Sequence, residues 1–192
     1  RQGHCAAQTG AGRTQADGMD CHSAPNTPVG PLIVEATRPY TTVPIEAHLM
    51  IEQPELYIPQ FAKAGADYII VHVEACVHLH RVFQQSHDEG KLAGVAINPA
   101  TPLVTLEEIL PYADMILVMT VNPGFGGQEF IPTMPPTIRR LKAMLEEHRV
   151  DLDLEVHGGI HAATIASVDA PWAHPRVAGS AADPRPPRAA TP

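Results

Sequence analysis

Residues 115–128 read M-I-L-V-M-T-V-N-P-G-F-G-G-Q, an apolar run that stops in a proline and a cluster of glycines. A short run that is apolar on both faces and closed by turn residues reads as a buried strand of a parallel sheet. Glycines in such a turn let backbone N–H groups approach an anion closely. Working outward, similar runs occur at 43–51, 68–73, 92–97 and 152–156. Helix-period stretches lie between them at 54–64, 77–89, 103–110 and 133–148, with Pro54 and Pro102 at helix starts and Gly65 and Gly90 at helix ends. The strand ends fall near His48, His72, Asn98, Thr120 and His157, one strand-helix unit per step. Periodicity alone suits a doubly wound sheet as well as a (β/α)8 barrel. The polar residues at strand C-terminal ends favour the barrel, whose sites gather there from many strands.

At 192 residues the chain suits one domain with a substantial core. Its 44% hydrophobic and 18% charged residues are those of a globular protein. A net charge of -8 argues against a nucleic-acid partner, which usually requires a basic face. No apolar run reaches the ~20 residues that span a bilayer, so no membrane partner is expected. Cys5, Cys21 and Cys76 share no metal-ligand spacing and read as unpaired thiols of a cytoplasmic protein.

The termini differ from the middle. Residues 1–15 show no apolar period, and 182–192 hold four prolines among alanine and arginine. The expected organisation is a non-matching segment 1–15, one barrel domain over 16–181 and a disordered tail over 182–192. The barrel is expected to be incomplete at its first strand and at its C-terminus.

Two further glycine-bearing turns follow late strands, His157-Gly158-Gly159 and Ala178-Gly179-Ser180. Together with Gly124, Phe125, Gly126 and Gly127 they are what a barrel phosphate site requires. The stretch Val118-Met-Thr-Val-Asn-Pro-Gly-Phe-Gly-Gly-Gln128 resembles the signature of ribulose-phosphate 3-epimerases. So do Pro44-Ile-Glu-Ala-His-Leu-Met-Ile51, His72-Val-Glu-Ala75, Gly94-Val-Ala-Ile-Asn-Pro-Ala-Thr-Pro102 and Glu155-Val-His-Gly-Gly-Ile160. The resemblance is strongest over 29–160. It implies a barrel of the ribulose-phosphate-binding type and the interconversion of D-ribulose 5-phosphate and D-xylulose 5-phosphate in the pentose phosphate pathway. It also implies one divalent metal, Zn, Fe or Mn, and a small-molecule sugar phosphate as partner, and leaves a homo-oligomer open.

The chemistry needs two acid/base groups flanking a planar enediolate and a cation to stabilise the developing oxyanion. The family's first motif aligns with Gln15-Ala-Asp-Gly-Met-Asp-Cys-His22, which makes Asp17 the match to one catalytic, metal-binding carboxylate. Gln15 stands where a metal-ligating His is expected. His48 matches the other metal His and also faces the substrate site. Met19, Met50 and Met119 match pocket methionines. His157 stands where the second catalytic Asp belongs, leaving Asp17, His48 and His157 as a reduced ligand set in which the metal is expected to be weakened or lost. A neutral amide is a poor ligand beside imidazole. The competing expectation is therefore an impaired or inactive family remnant that only binds sugar phosphate. His72 and Glu74 suit either a pocket lining or a satisfied pair at a barrel strand end.

Overall fold

The computed structural model describes residues 12–19, 30–124, 127–161, 164 and 176–177. Seven strands form one sheet in strict chain order, all parallel. They are β1 (Thr14–Met19), β2 (Ile45–Met50), β3 (Tyr68–His72), β4 (Leu92–Ile97), β5 (Met115–Met119), β6 (Asp153–His157) and the short β7 (Arg176–Val177). Helices α1 (Pro31–Thr37), α2 (Ile58–Ala64), α3 (Leu79–Asp88) and α4 (Met134–His148) fill the connections. Parallel order with a crossover at each step is the wall of a partial (β/α)8 barrel.

The strands of the middle of the chain fall where the sequence places them, within a residue or two. Two differences have physical causes. The segment Leu103–Tyr112 is a 3-10 helix rather than an α-helix. Leu103, Leu106 and Ile109 recur every third residue, the period at which 3-10 side chains stack on one face, and Pro111 offers no N–H for an α-helical bond. The expected boundary after residue 15 falls inside β1, where Thr14 and Gln15 pair with Ile45 and Glu46. That strand carries Gln15 and Asp17 on its inward face, with Arg13 just before it, and has no apolar alternation to announce it.

Two apolar layers hold the wall. Outside, Val34, Phe61, Phe83 and Leu141 from the helices meet Leu49, Val71, Val95 and Val118 from the strands. Inside, Tyr68, Ile70, Ala96, Met115, Leu117, Met119 and Val121 form a second cluster. Gly94 sits on that inner face because a Cβ there would lie 2.8 Å from Ile70.

The N-terminal ends of the strands are closed by repeated corners. Asp67 precedes β3; its Oδ2 accepts the Ile45 N–H at 2.8 Å, and its own N–H reaches the Ile45 carbonyl at 2.8 Å. Asp114 does the same before β5, with 2.8 Å to the Ala93 N–H and 2.9 Å to the Ala93 carbonyl. Arg38 donates to Asp67 at 2.7 Å and to the carbonyls of Thr41 at 2.7 Å and Val43 at 2.9 Å. Above this floor, Arg13 pairs with Glu46 and Asp153 and lies 4.7 Å from the centre of the Tyr68 ring.

Candidate active site

Strand register assembles the site. β1 and β2 align Asp17 with His48 and Met19 with Met50, and β5 and β6 align Met119 with His157. Side chains alternate between faces along a strand, so Gln15, Asp17 and Met19 point the same way. His48 Nδ1 lies 3.2 Å from Asp17 Oδ1, and His157 Nε2 lies 3.8 Å from Asp17 Oδ2. The His48 and His157 ring centres are 5.2 Å apart and tilted by 59°. One ligand atom from each of Asp17, His48 and His157 can be chosen so that all lie within 4.8 Å of one another. That is a possible metal-ligand group of two nitrogens and a carboxylate oxygen, a donor set that suits Zn²⁺ or Fe²⁺.

Protonation follows from burial and neighbours. Burial works to raise the Asp17 carboxyl, but the facing His48, with His157 and His72, outweighs it and holds Asp17 below its ordinary value. Burial drives fully buried His48 down to about 4, and it pushes His157 down as well. Near neutral pH the three groups are therefore a carboxylate and two neutral imidazoles, the state that binds a cation. Among the described residues, His157 Nδ1 and Gln15 Nε2 are buried without a hydrogen-bond partner. The His157 nitrogen that faces Asp17, Nε2, fits a ligand role. The orphaned amide nitrogen of Gln15, where the resemblance leads one to expect a ligating His, does not, because it has no lone pair to give.

The glycine turns sit at the same mouth. Gly124 and Gly127 adopt φ of 121° and 73° after β5, and Gly158 and Gly159 adopt 110° and 64° after β6. A Cβ on Gly158 would lie 2.3 Å from Val121, and one on Gly159 would lie 2.5 Å from the Phe130 nitrogen, so only glycine lets these two loops approach. Thr120 ties them further, with its N–H on the His157 carbonyl at 2.8 Å and its hydroxyl on the same oxygen at 3.0 Å. Phe125, Gly126, Gly179 and Ser180 lie outside the described residues. Met50 and Met119 are buried and Met19 is half-buried.

Sequence reasoning left His72 and Glu74 undecided, and both belong to this cluster. His72 Nε2 lies 2.9 Å from His48 Nε2 with the rings stacked, and His72 Nδ1 lies 3.2 Å from Glu74 Oε2. Burial would raise Glu74, but His72, Thr101 and the Asn98 N–H hold it down at about 2. The signal in the sequence was a His and a Glu two residues apart at a strand end, where the chain turns into the short 3-10 helix Val73–Ala75 that brings Glu74 back to His72.

A wall of parallel strands with an acid, imidazoles and glycine turns gathered at its C-terminal mouth is the architecture of a barrel enzyme. Among solved structures, the fold is shared with KGPDC from Streptococcus mutans, at TM-score 0.71 and 13% identity over 93% of this chain and 80% of that one. A tryptophan synthase alpha-subunit from Pyrococcus furiosus gives TM-score 0.61 at 21% identity, over 79% of this chain and 62% of that one. The sequence matches the ribulose-phosphate 3 epimerase family over residues 3–182. Ribulose-phosphate 3-epimerase of Bacillus subtilis (strain 168) is 50% identical over 90% of this chain and 80% of its own length. The enzyme of the same name from Synechocystis sp. is 49% identical over 91% of this chain and 76% of its own length. The chain belongs to the ribulose-phosphate 3-epimerase family, whose members are isomerases.

Proposed function

We propose that this chain interconverts D-ribulose 5-phosphate and D-xylulose 5-phosphate, with Asp17 moving the proton on one face of the substrate and His157 on the other. The observation that carries the reading is the convergence of Asp17, His48 and His157 at the barrel mouth, strands apart in sequence. Asp17, ionised beside the imidazoles that face it, is poised to take the proton beside the ketone. His157, neutral, presents one nitrogen to a cation and leaves the other for proton return. A divalent ion held by Asp17, His48 and His157 would stabilise the oxygen that gains charge as that proton leaves. The inner-face residues Met50 and Met119 exclude water beside the reacting carbon. The amides of Gly126, Gly127, Gly159, Gly179 and Ser180 would cradle the phosphate, supported by the left-handed turns at Gly127 and Gly159. A cytoplasmic setting accords with the unpaired thiol of Cys76.

Gln15 supports a second reading, in which the chain binds sugar phosphate and turns it over poorly. One assay separates them: ribulose 5-phosphate turnover with added Zn²⁺, Fe²⁺ or Mn²⁺ in the parent, Gln15→His, His157→Asp and the double revertant. The expected result is slow turnover in the parent and a gain of about 10²-fold or more in the double revertant. That gain should exceed the product of the single gains because both act on one metal centre. A double revertant that folds but shows no turnover overturns the enzymatic reading. A pentose 5-phosphate at millimolar concentration should raise the melting temperature of the parent under either reading.

A further inference from the structure

Glu74 lies outside the ligand set, and no step of the proposed reaction uses it. Its carboxylate nevertheless ends a chain of hydrogen bonds that starts at His48. His48 Nε2 meets His72 Nε2 at 2.9 Å, and His72 Nδ1 meets Glu74 Oε2 at 3.2 Å. The other oxygen, Oε1, accepts the Asn98 N–H at 2.8 Å and the Thr101 hydroxyl.

The direction of this chain follows from what each atom can do. An ionised carboxylate only accepts, so His72 must donate from Nδ1. A neutral His72 then has a bare Nε2, which requires His48 to donate from its own Nε2. A neutral His48 that carries its proton on Nε2 has a bare Nδ1. That nitrogen faces Asp17 Oδ1 at 3.2 Å, two lone-pair atoms aimed at one space.

We propose that Glu74 is a positioning residue that sets the tautomer of His48 through His72, keeping His48 Nδ1 unprotonated toward Asp17 so that it can bind a metal ion. This rests on the metal reading of Asp17, His48 and His157 given above. Second-layer partners of ligating histidines act in this way, by fixing which ring nitrogen is free.

The isosteric variant Glu74→Gln tests the proposal because it should invert the chain. The Asn98 N–H can only donate, so the amide oxygen must take the place of Oε1. The amide NH₂ then faces His72 Nδ1 and donates to it. His72 is forced to carry its proton on Nε2, and His48 to carry its proton on Nδ1, where it blocks the ligand atom. Glu74→Ala removes the acceptor without supplying a donor, so water can restore the original direction.

The proposal therefore fixes an order of Zn²⁺ affinity, measured by titration calorimetry with the metal alone: parent, then Glu74→Ala, then Glu74→Gln. The Gln variant should fall by about 10- to 100-fold. A merely structural role gives the opposite order, with the isosteric Gln close to the parent and Ala the weakest, and would overturn it. The second readout needs no metal. Imidazole ¹⁵N shifts of the metal-free chain should show His72 protonated at Nδ1 in the parent and at Nε2 in Glu74→Gln. An unchanged His72 tautomer in a folded Gln variant also overturns the inference. A parent that takes up no Zn²⁺ refutes the metal reading instead, and the tautomer measurement still decides the role of Glu74.

Discussion

The floor and the mouth of this barrel treat their polar groups in opposite ways. At the floor, Asp67 and Asp114 each accept an N–H from the start of a neighbouring strand, Ile45 and Ala93, and Arg38 caps carbonyls left over at the corner. Toward the mouth, Gln15 Nε2, His157 Nδ1 and Asn98 Oδ1 are buried without partners among the described residues, and at the strand starts Thr14 Oγ1 alone shares that state. Buried polar atoms are almost always paired when their role is to hold a fold together. The contrast teaches that the frame closes at the N-terminal ends of the strands, whereas the C-terminal ends are shaped for something other than themselves. Glu155 sits between the two levels, fully buried on β6, and neither of its oxygens has a hydrogen-bond partner among the described residues.

Glu155 offers the hardest test of that contrast. Burial, reinforced by the charge of Glu46, which approaches without hydrogen-bond geometry, raises its carboxyl to about 9. A group whose folded value is raised contributes stability in full below its unfolded value and loses it as pH rises through the folded one. The melting temperature of the parent should therefore fall between about pH 5 and about pH 9, more than for any substitution below, and Glu155→Gln should flatten that fall. An equally steep fall in the variant would show that the mid-barrel acid is not strained.

At the mouth, Gly159→Ala must adopt φ of 64° and meet backbone 2.5 Å away, so urea denaturation should show a loss of about 3 kcal/mol or more. At the floor, Arg38→Ala removes charged hydrogen bonds from a half-exposed corner and should cost about 2 kcal/mol, while leaving Zn²⁺ affinity untouched. A changed affinity would break the separation of floor from mouth. The smallest effect is expected for Gly127→Ala, where φ is 73° and, among the described residues, nothing lies within 4 Å of the new methyl group. A loss of about 1 kcal/mol is expected from the backbone alone.

Much of this was legible in the sequence because parallel strands buried on both faces are nearly continuous apolar runs, as in β3 and β5. β1 was not, since its inward residues are Gln15 and Asp17 and its partner lies about thirty residues away, at Ile45 to Met50. Asp17, His48 and His157 could be picked out from motif positions, but their mutual distances depend on strand register, which motifs do not encode. The same holds for the His48–His72 contact. It arises because β2 and β3 are offset so that His48 pairs with Ile70, two residues short of His72. Nor did local pattern indicate Arg13, whose partners Glu46 and Asp153 stand 33 and 140 residues away.

The aspartate corners carry a consequence for the order in which the chain assembles. Each closes a loop of only 22 or 21 residues, between a strand start and the next strand along. Loop-closure entropy grows with the length enclosed, and contacts of short separation are reached first. Folding can then advance strand by strand, each new corner clipping onto the one before it. Asp17 and His157, by contrast, meet only when the two ends of the strand array have curled toward each other. That pair is thus the latest arrival on the folding path, and nascent chains that stall partway would carry a finished frame without a completed mouth.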